Sequence, residues 1–395
     1  MTMPAVIHLL PAYNPFPPIY PAGTELRVEQ VSLRQQRYRA VVVCGAFDKQ
    51  ALTEQIGSML IRRIKISAIY RRLFQKITRL DPWPYTDRMW RVIREEQAKI
   101  LHIHNEPKLL AGLAQHLEKS PMPVVVHIAN SKPIPQQAKH LVTRWVACSH
   151  FMKHWLAESS GVALDKIDVI YTGVDISKRP PWWAIPAEQR QALRQQHGIM
   201  EDDAIVILFA GRLVKEKGVT ELLGAFEILR ARVNKPLYLL VAGNVRDSAD
   251  PKNEKAVYGK AVAARMATQA GVKWVGSLAP SAMHEFLLTG DLYALPSIWP
   301  DPFPTVMLEA AAAGLPIVGS AQGGIIEFLE GYPGAPVIQD AENPALWADA
   351  LEKLVQDEAL RLTAGQWLRA KVENSFGWDR VTRDFEALYD RLLAK

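Results

Sequence analysis

The sequence predicts an α/β protein built from two Rossmann-like domains. Short apolar runs alternate with longer amphipathic segments along most of the 395 residues. Uninterrupted apolar runs indicate strands that are covered on both faces, which is typical of parallel sheets. A chain of this length is too long for one ordinary hydrophobic core and suits two domains.

Each apolar run is predicted to be a buried strand, and the runs form two series. The first series comprises residues 5–10, 40–45, 100–104, 123–128, 145–149 and 168–173, and the second comprises 204–211, 237–243, 272–276, 291–297 and 315–320. Amphipathic segments such as 220–232 are predicted to be the helices that complete the βαβ units.

A proline-rich and then polar stretch, residues 176–203, separates the two series and is predicted to be a linker. The predicted domains are therefore 1–175 and 204–377, and the C-terminal helix 378–395 is expected to complete the first domain. Ligands of open parallel sheets bind beyond the C-terminal ends of the strands. The active site is therefore expected in a cleft across which the two domains face each other.

Composition and cysteine usage narrow the class of protein. The chain has no apolar stretch of 18 or more residues, and its first residues lack the basic leader of a secretory signal, so a cytoplasmic protein is expected. Cys44 and Cys148 end apolar runs and are expected to be core residues in a reducing compartment. The cysteines and histidines do not follow a metal-binding spacing.

Positive charge is concentrated in residues 60–99, which hold eleven Lys/Arg and four Asp/Glu, whereas the whole chain has a formal charge of +6. Arg71, Arg72 and Lys76 flank a predicted helical stripe of apolar residues. The members of the stripe are Ile61, Ile64, Ala68, Leu73, Ile77 and Leu80. The segment either contacts anionic lipid or a phosphorylated acceptor, or it is an ordinary core-facing stripe with a solvated basic face.

Aromatic residues interleaved with these cations would also suit a nucleic-acid-binding protein. That interpretation leaves the phosphate-binding turn and the acidic motif described next unexplained, so no nucleic-acid partner is expected.

The turn after the strand at 204–211 is predicted to bind a diphosphate. In FAGRLVKEKGVTELL (209–223), Arg212 and Lys217 lie in the turn and Gly218 lies at the start of the next helix. Two cations beside the free N–H groups of a helix N-terminus form a natural anion site. The alternative is that both side chains are solvated loop charges.

A second helix start is predicted in PSIWPDPFPTVMLEAAAAG (296–314). Pro304 suits the first turn of this helix and Gly314 ends it. The N–H groups of Thr305 and Val306 are then unpaired by the helix and could bind an anion.

Two acids lie on either side of that helix start. Glu309 is one turn beyond Thr305 on the same face and is expected to accept ribose hydroxyls. Asp301 is expected to accept hydroxyls of a sugar on the far side of the phosphates. The alternative is a structural ion pair for Glu309 and a solvated Asp301, and it is disfavoured because no basic residue lies nearby in the sequence.

Together these motifs resemble the retaining glycosyltransferases of the GT-B fold, family 4. The resemblance is carried by GRLVKEKG, by the Asp-x7-Glu pair with EAAAAG, and by GGIIEFLEG (323–331), IYTGVD (170–175), SHFMKHWL (149–156) and FGWDRVTRDFEALYDRLL (376–393). In a narrower likeness, YRRLFQKITRLDPWPYTDRMW (70–90) resembles the enterobacterial enzymes that add N-acetylglucosamine to the outer core of lipopolysaccharide.

The resemblance implies transfer of a hexosyl group from a UDP-sugar, and the narrower likeness implies UDP-GlcNAc as donor and a lipopolysaccharide core oligosaccharide as acceptor. The concentrated charge of residues 60–99 and the anionic acceptor together favour peripheral contact with the inner face of the cytoplasmic membrane. Arg212 and Lys217 could stabilise the departing diphosphate, and no compelling Asp-x-Asp pair is present, so neither a metal nor another cofactor is expected. The alternatives are another UDP-hexose with a different surface glycan, or a GT-B nucleotide-sugar epimerase or hydrolase.

The resemblance also assigns roles within the second domain. Arg212 and Lys217 would hold the diphosphate and Glu309 the ribose. Asp301 would orient the sugar with help from the backbone. The remaining positions that would contact the base or the sugar are Gly243, Asn244, the Gly276–Leu278 loop, Phe303 and Pro304, followed by the amides of Thr305 and Val306. The first acid of the pair is usually Glu in this family, so Asp301 is one methylene shorter and is expected to alter sugar preference.

In the first domain the resemblance points to a glycine and a histidine. Gly23, in PAGTEL (21–26), matches the family's glycine-rich turn on the acceptor side. Family members commonly end the strand at 123–128 with a catalytic-side histidine, and His127 lies two residues before that place, on the same face. His127 either reaches the cleft or is a core histidine, and His104 is a second candidate.

Overall fold

The computed structural model describes residues 3–19, 22–47, 49–78, 85–245, 250 and 253–394. The chain divides into two compact units, Met1–Gly173 with Trp378–Lys395, and Val174–Gly377. Each unit contains one largely parallel sheet whose strands are connected through helices. The expected α/β class with two Rossmann-like domains is confirmed.

The first unit contains an eight-stranded sheet in the order β3-β4-β2-β1-β5-β6-β7-β8, in which β3 alone runs antiparallel to its neighbour. The strands are β1 (Ala5–Leu9), β2 (Arg39–Gly45), β3 (Thr53–Ile56), β4 (Met59–Ile64), β5 (Ala98–His104), β6 (Val124–Ile128), β7 (Arg144–Ala147) and β8 (Ile167–Val169). The α-helices are α1 (Gly23–Arg34), α2 (Ala68–Thr78), α3 (Tyr85–Glu95), α4 (Lys108–Lys119) and α5 (His150–Ser160).

The second unit contains a five-stranded parallel sheet in the order β11-β10-β9-β12-β13. Its strands are β9 (Ile205–Ala210), β10 (Leu237–Ala242), β11 (Val272–Gly276), β12 (Leu292–Leu295) and β13 (Ile317–Gly319). Its α-helices are α6 (Ala187–Gln196), α7 (Val219–Arg232), α8 (Glu254–Thr268), α9 (Met283–Leu288), α10 (Thr305–Ala312), α11 (Ile325–Phe328), α12 (Pro344–Gln356) and α13 (Glu358–Ser375).

The last helix, α14 (Trp378–Leu393), returns to the first unit and covers one face of its sheet. Its apolar side chains form one buried cluster with residues of the central strands, including Phe385 against Val6, Ile100 and Val125. A Cβ atom on Gly173 would lie 2.6 Å from the ring of Trp378, so a glycine is needed where the helix begins. Cys44 and Cys148 are both buried, as expected.

The helical stripe predicted from Ile61 to Leu80 is wrong in its first part. Ile61 and Ile64 are buried in strand β4, which pairs in parallel with β2, and helix α2 begins only at Ala68. The later part of the predicted segment, residues 79–84, lies outside the described residues.

Residues 176–203, predicted to be a linker, fall within the second unit and pack against its other segments. Two arginines of α6 bind Asp291, with Arg190 Nη2 2.9 Å from Oδ1 and Arg194 Nη2 2.8 Å from Oδ2. Further back, the amide of Trp182 donates to the carbonyl of Ala313 at 2.9 Å. The proline-rich and polar composition of this segment did not reveal its packing, because the residues that it contacts lie far away in the sequence.

Candidate functional site at the second sheet

The predicted phosphate-binding turn lies at the C-terminal end of β9. Arg212 is exposed, and Lys215–Lys217 form a single 3-10 turn that ends at Gly218. Gly218 has φ +65°, and a Cβ atom there would lie 1.8 Å from the carbonyl oxygen of Pro296. Glycine is therefore required by the close approach of this turn to the segment that follows β12.

Hydrogen bonds join this turn to the segment that carries the first acid. The amides of Ile298 and Trp299 donate to the carbonyl of Glu216 at 3.2 and 3.3 Å. The amine of Lys217 forms an ion pair with the carboxylate of Asp301, whose side chain is 14% exposed. The structure thus brings together two motifs that are far apart in the sequence, and it corrects the alternative in which Asp301 is a solvated acid.

The double glycine of GGIIEFLEG supports the backbone of Asp301 from the other side. The amide of Gly324 donates to the carbonyl of Asp301 at 2.8 Å. Gly323 has φ +59°, and a Cβ atom there would lie 2.1 Å from the same carbonyl oxygen. The ring of Phe303 stacks on Phe376 with centroids 5.8 Å apart. The loop between β12 and α10 is therefore held on several sides.

Helix α10 presents free amides at its start, as predicted. Pro304 is the residue before the helix instead of its first-turn residue, with φ −69° and ψ 122°. Within the described part of the chain, the N–H groups of Thr305 and Val306 have no acceptor, and Thr305 is exposed. Gly314 ends the helical segment with φ +78°. An anion can therefore approach the N–H groups of the first turn.

Glu309 follows one turn later and forms an ion pair that the sequence analysis disfavoured. Nη2 of Arg179 donates to Oε1 of Glu309 at 2.9 Å, and the two residues are 130 positions apart in the chain. Burial raises the pKa of Glu309, and the charge and hydrogen bond of Arg179 act in the opposite direction. The absence of a nearby cation in the sequence was a poor guide, because the partner comes from the segment that precedes α6.

The residues expected near the base lie on neighbouring loops of the same sheet edge. The amide of Gly243 donates to the carbonyl of Gly276 at 2.7 Å, and the amide of Leu213 donates to the carbonyl of Asn244 at 3.3 Å. A Cβ atom on Gly243 would lie 2.0 Å from the carbonyl oxygen of Gly211. Asn244 is exposed and Leu278 half-buried. The loops after β9, β10 and β11 are therefore contiguous.

Both candidate histidines, His127 and His104, are buried in the first unit. His127 is fully buried, and neither of its ring nitrogens has a hydrogen-bond partner. It points to the sheet face that α14 covers, and its ring lies 6.0 Å from that of Phe385. His104 is also buried and is bonded to His8, with Nε2 2.9 Å from Nδ1. Of the two alternatives for His127, the structure supports a core histidine.

Gly23 begins helix α1 in the first unit. It lines a cavity of about 180 Å³ together with Asn14, Thr24 and Glu25. The amide group of Asn14 donates to Oε1 of Glu25 at 2.8 Å, which fixes one wall.

Among the described residues, His8, His102 and His104 have ring nitrogens that lie within 4.8 Å of one another. All three are buried, and burial is the main cause that lowers the pKa of each. The buried guanidinium of Arg27 lowers the pKa of His102 and His104 further. The cluster contains no acid to balance a cation, so it fits a neutral imidazole layer better than a metal centre.

The fold and this arrangement of loops define a glycosyltransferase. Residues 31–178 match the family description Glycosyltransferase Family 4, and residues 189–369 match Glycosyl transferases group 1. The chain is therefore a GT-B glycosyltransferase with family 4 and group 1 domains, an enzyme of the hexosyltransferase type.

Two kinds of relative support this assignment. The chain is 29% identical to a lipopolysaccharide 1,2-N-acetylglucosaminetransferase of Salmonella typhimurium over 378 residues, which cover 94% of each chain. Anabaena Alr3699/HepE, solved in complex with UDP and glucose, superposes with a TM-score of 0.75 at 18% identity and covers 98% of this chain and 100% of that one. WaaG, a glycosyltransferase involved in lipopolysaccharide biosynthesis, superposes with a TM-score of 0.64 at 14% identity, covering 96% of this chain and 98% of that one. The two structural likenesses concern the fold alone.

No helix in the described ranges combines the length and apolar character needed to cross a bilayer.

Proposed function

We propose that this glycosyltransferase moves N-acetylglucosamine from UDP-GlcNAc onto a lipopolysaccharide core oligosaccharide, with retention of the anomeric configuration. The name of the Salmonella relative gives N-acetylglucosamine as the transferred sugar and lipopolysaccharide as the acceptor, and the chain aligns with that relative over nearly its whole length. The observation that carries the proposal is the ion pair of Lys217 with Asp301 beside the free amides of α10. It places a cation, a carboxylate and anion-binding N–H groups on connected segments.

In this proposal the donor lies along the C-terminal edge of the second sheet. The uracil base lies near Gly243, Asn244 and Leu278, and Glu309 accepts the ribose hydroxyls. Arg212, Lys217 and the amides of Thr305 and Val306 hold the diphosphate. The transferred sugar is oriented by Asp301 and the backbone of Phe303 and Pro304.

Departure of the UDP group is the difficult step of the transfer. The bond between C1 of the sugar and the β-phosphate oxygen breaks while an acceptor oxygen bonds to C1 on the same face. The acceptor proton passes to the departing phosphate oxygen. Cations and amides fixed where negative charge develops supply the stabilisation, so the mechanism we propose uses Arg212 and Lys217 in that role and no metal ion.

The acceptor is proposed to bind through the N-terminal domain, 1–175, where Gly23 lines the cavity at the start of α1. We also propose that helix α2 contacts the anionic inner face of the cytoplasmic membrane. Ile69, Leu73 and Ile77 are spaced on one face of this helix and are 73%, 54% and 79% exposed. Leu73 and Ile77 belong to the stripe predicted from the sequence, and an exposed apolar stripe of this kind is typical of an interaction surface.

Charge supports a membrane as the partner of α2. Arg72 and Lys76 are exposed on the same helix, and residues 60–78 contain no Asp or Glu. An amphipathic helix with an apolar stripe and cationic flanks binds the boundary between lipid headgroups and acyl chains.

The experiment that tests the proposed function is a panel of nucleotide-sugars with the purified protein. UDP-GlcNAc is expected to raise the thermal midpoint more than UDP-glucose, UDP-galactose or GDP-mannose. Transfer is then followed with core oligosaccharides truncated at successive sugars, and the new linkage is assigned by NMR. Release of free sugar or formation of an epimer without acceptor would favour the hydrolase or epimerase alternative. A larger rise in the thermal midpoint with another UDP-hexose would identify that compound as the donor in place of UDP-GlcNAc.

A further inference from the structure

We infer that Arg179 is a positioning residue for the donor, which holds Glu309 in the orientation and charge state that receive the ribose. The inference rests on the proposed role of Glu309 and adds a residue that lies far from it in the sequence.

The geometry of the pair leaves half of the carboxylate available. Nη2 of Arg179 binds Oε1 of Glu309 at 2.9 Å, and the side chains are 17% and 20% exposed. Within the described chain, Oε2 of Glu309 has no hydrogen-bond donor, and it is not among the fully buried unpaired atoms. One carboxylate oxygen is therefore fixed by the protein, while the other remains for a hydroxyl group.

Arg179 is held against the helix that carries Glu309. Nη1 of Arg369 donates both to the carbonyl of Arg179 and to the carbonyl of Ala312 near the end of α10. The indole N–H of Trp182 donates to the carbonyl of Gly314 at 3.1 Å. These bonds fix the backbone of the segment from Arg179 to Trp182 alongside α10, and so they place the start of the Arg179 side chain within reach of Glu309.

The guanidinium has no other anionic partner in the part of the chain that the structure describes. Its Nη1 is buried and has no acceptor. Breaking a largely buried ion pair by removing one member leaves an uncompensated charge, which costs far more than the loss of a surface pair. Removal of Arg179 is therefore expected both to destabilise the second unit and to leave Glu309 without its counter-charge.

The charged and titratable groups around the pair come from several elements. Tyr293 on β12 lies near Glu309, while Arg369 on α13 and His284 on α9 lie near Arg179. Burial lowers the pKa of His284 to about 4, and burial raises the pKa of Tyr293. Burial is the main cause of both shifts, but the charge of Arg179 also lowers the pKa of His284, so removal of Arg179 raises the pKa of His284 as well as that of Glu309. Comparison with the Glu309→Gln background separates the contribution of Glu309 from that of His284.

The sign of the pH effect follows from the opposing influences on Glu309. Burial raises its pKa and Arg179 opposes that rise. In Arg179→Met the rise is unopposed, so Glu309 takes up a proton at a higher pH than in the wild type. Binding of UDP should therefore fail in the variant as the pH decreases through a range in which the wild type still binds.

The test is calorimetric titration of UDP from pH 6 to 8.5 for the wild type, Arg179→Met and Arg179→Lys. We expect Arg179→Met to bind UDP about tenfold more weakly at pH 6, which corresponds to the loss of one hydrogen bond to a charged group. The deficit should shrink towards pH 8.5, and Arg179→Lys should restore most of the affinity at pH 6.

Two further variants separate positioning from structural support. The amide of Glu309→Gln cannot titrate, so Glu309→Gln and Arg179→Met/Glu309→Gln should bind UDP equally weakly at each pH. The double variant has no unpaired acid at this place. If Arg179→Met does not fold, the double variant still tests whether Arg179 affects UDP binding when Glu309 cannot be charged. The inference would be overturned if Arg179→Met lost the same affinity for UDP at every pH, or if the double variant bound UDP more weakly than Glu309→Gln. Neither result would overturn the proposed function. Failure of the wild type to bind UDP at any pH would overturn the proposed function with it.

Discussion

The amine of Lys217, in the turn after β9, donates a hydrogen bond to the carboxylate of Asp301, in the segment after β12. This contact joins the two motifs on which the proposed donor site depends. It also means that the cation proposed for the diphosphate and the acid proposed for the sugar are already neighbours in the free protein.

Lys217→Ala is expected to reduce transfer by about 100-fold or more, because it removes a charge from the position where the leaving phosphate becomes negative. The reduction should fall mainly on kcat, measured from steady-state rates with UDP-GlcNAc and the acceptor. Lys215→Ala is the matched control, since Lys215 is exposed in the same 3-10 turn. Equal activity of both variants would remove Lys217 from the site.

Asp301→Asn should separate binding of the nucleotide from binding of the sugar. If Asp301 contacts the transferred sugar, UDP should bind to the variant within about threefold of the wild type, while kcat/KM for the UDP-sugar falls by about 100-fold. Calorimetry with UDP and initial rates with UDP-GlcNAc give the two quantities. A comparable loss in the affinity for UDP and in kcat/KM for UDP-GlcNAc would place Asp301 at the diphosphate.

Gly323→Ala should destabilise the second unit and displace the backbone of Asp301. An added Cβ atom meets the Asp301 carbonyl at 2.1 Å, in addition to the strain of φ +59°. Gly331→Ala, in the same motif, has similar strain at φ +74°, but its nearest contact is 3.7 Å away. The strain alone costs about 1–2 kcal/mol, so we expect the thermal midpoint of Gly331→Ala to fall by several degrees and that of Gly323→Ala by more.

The membrane surface of α2 is tested with Ile69→Ser/Ile77→Ser and Arg72→Gln/Lys76→Gln. Both variants should bind anionic phosphatidylglycerol vesicles about tenfold or more weakly, the first through lost apolar contact and the second through lost charge. Added salt should weaken vesicle binding of the wild type and of the serine variant steeply, because both keep the two charges that salt screens. It should have little further effect on the glutamine variant. Leu52→Ser, which is 54% exposed in the same unit, is the control. Unchanged sedimentation of both variants with vesicles would contradict the proposal.

His127→Leu should stabilise the protein in acid and leave transfer intact at pH 7.5. The pKa of His127 is lowered well below its ordinary value of 6.5, chiefly by burial, so below pH 6.5 the unfolded chain binds a proton that the folded chain does not. This difference destabilises the folded state progressively as the pH falls below 6.5. Thermal unfolding at pH 5 and 7.5 measures it, with the exposed His154→Leu as control. Loss of transfer with intact folding would return His127 to the site.

The strands of both sheets that are covered by helices were predictable, because every long apolar run coincides with a strand. The pair β3 and β4 was missed for a physical reason. Arg62 and Arg63 interrupt the apolar pattern of β4, and their partners come from other segments: Arg62 pairs with Glu95, and Arg63 pairs with Glu54 of β3 and donates to the carbonyl of Phe16. Such partners leave no local signal in the sequence.

The candidate site was predictable where local rules apply. Two features depend only on neighbouring residues: the glycine that ends a turn and the free amides that follow a proline. The first is observed at Gly218 and the second at Thr305. The pairing of Glu309 with Arg179 and the burial of His127 depend on tertiary contacts between segments far apart in the chain. Neither could be read from residue spacing.

The position of α14 has a consequence for biosynthesis. The first sheet leaves the ribosome with one apolar face uncovered, and the helix that covers it is made only after the whole second unit has been translated. Closure of the N-terminal core therefore waits for synthesis of the entire second unit, so the two units cannot be completed in the order in which they are translated.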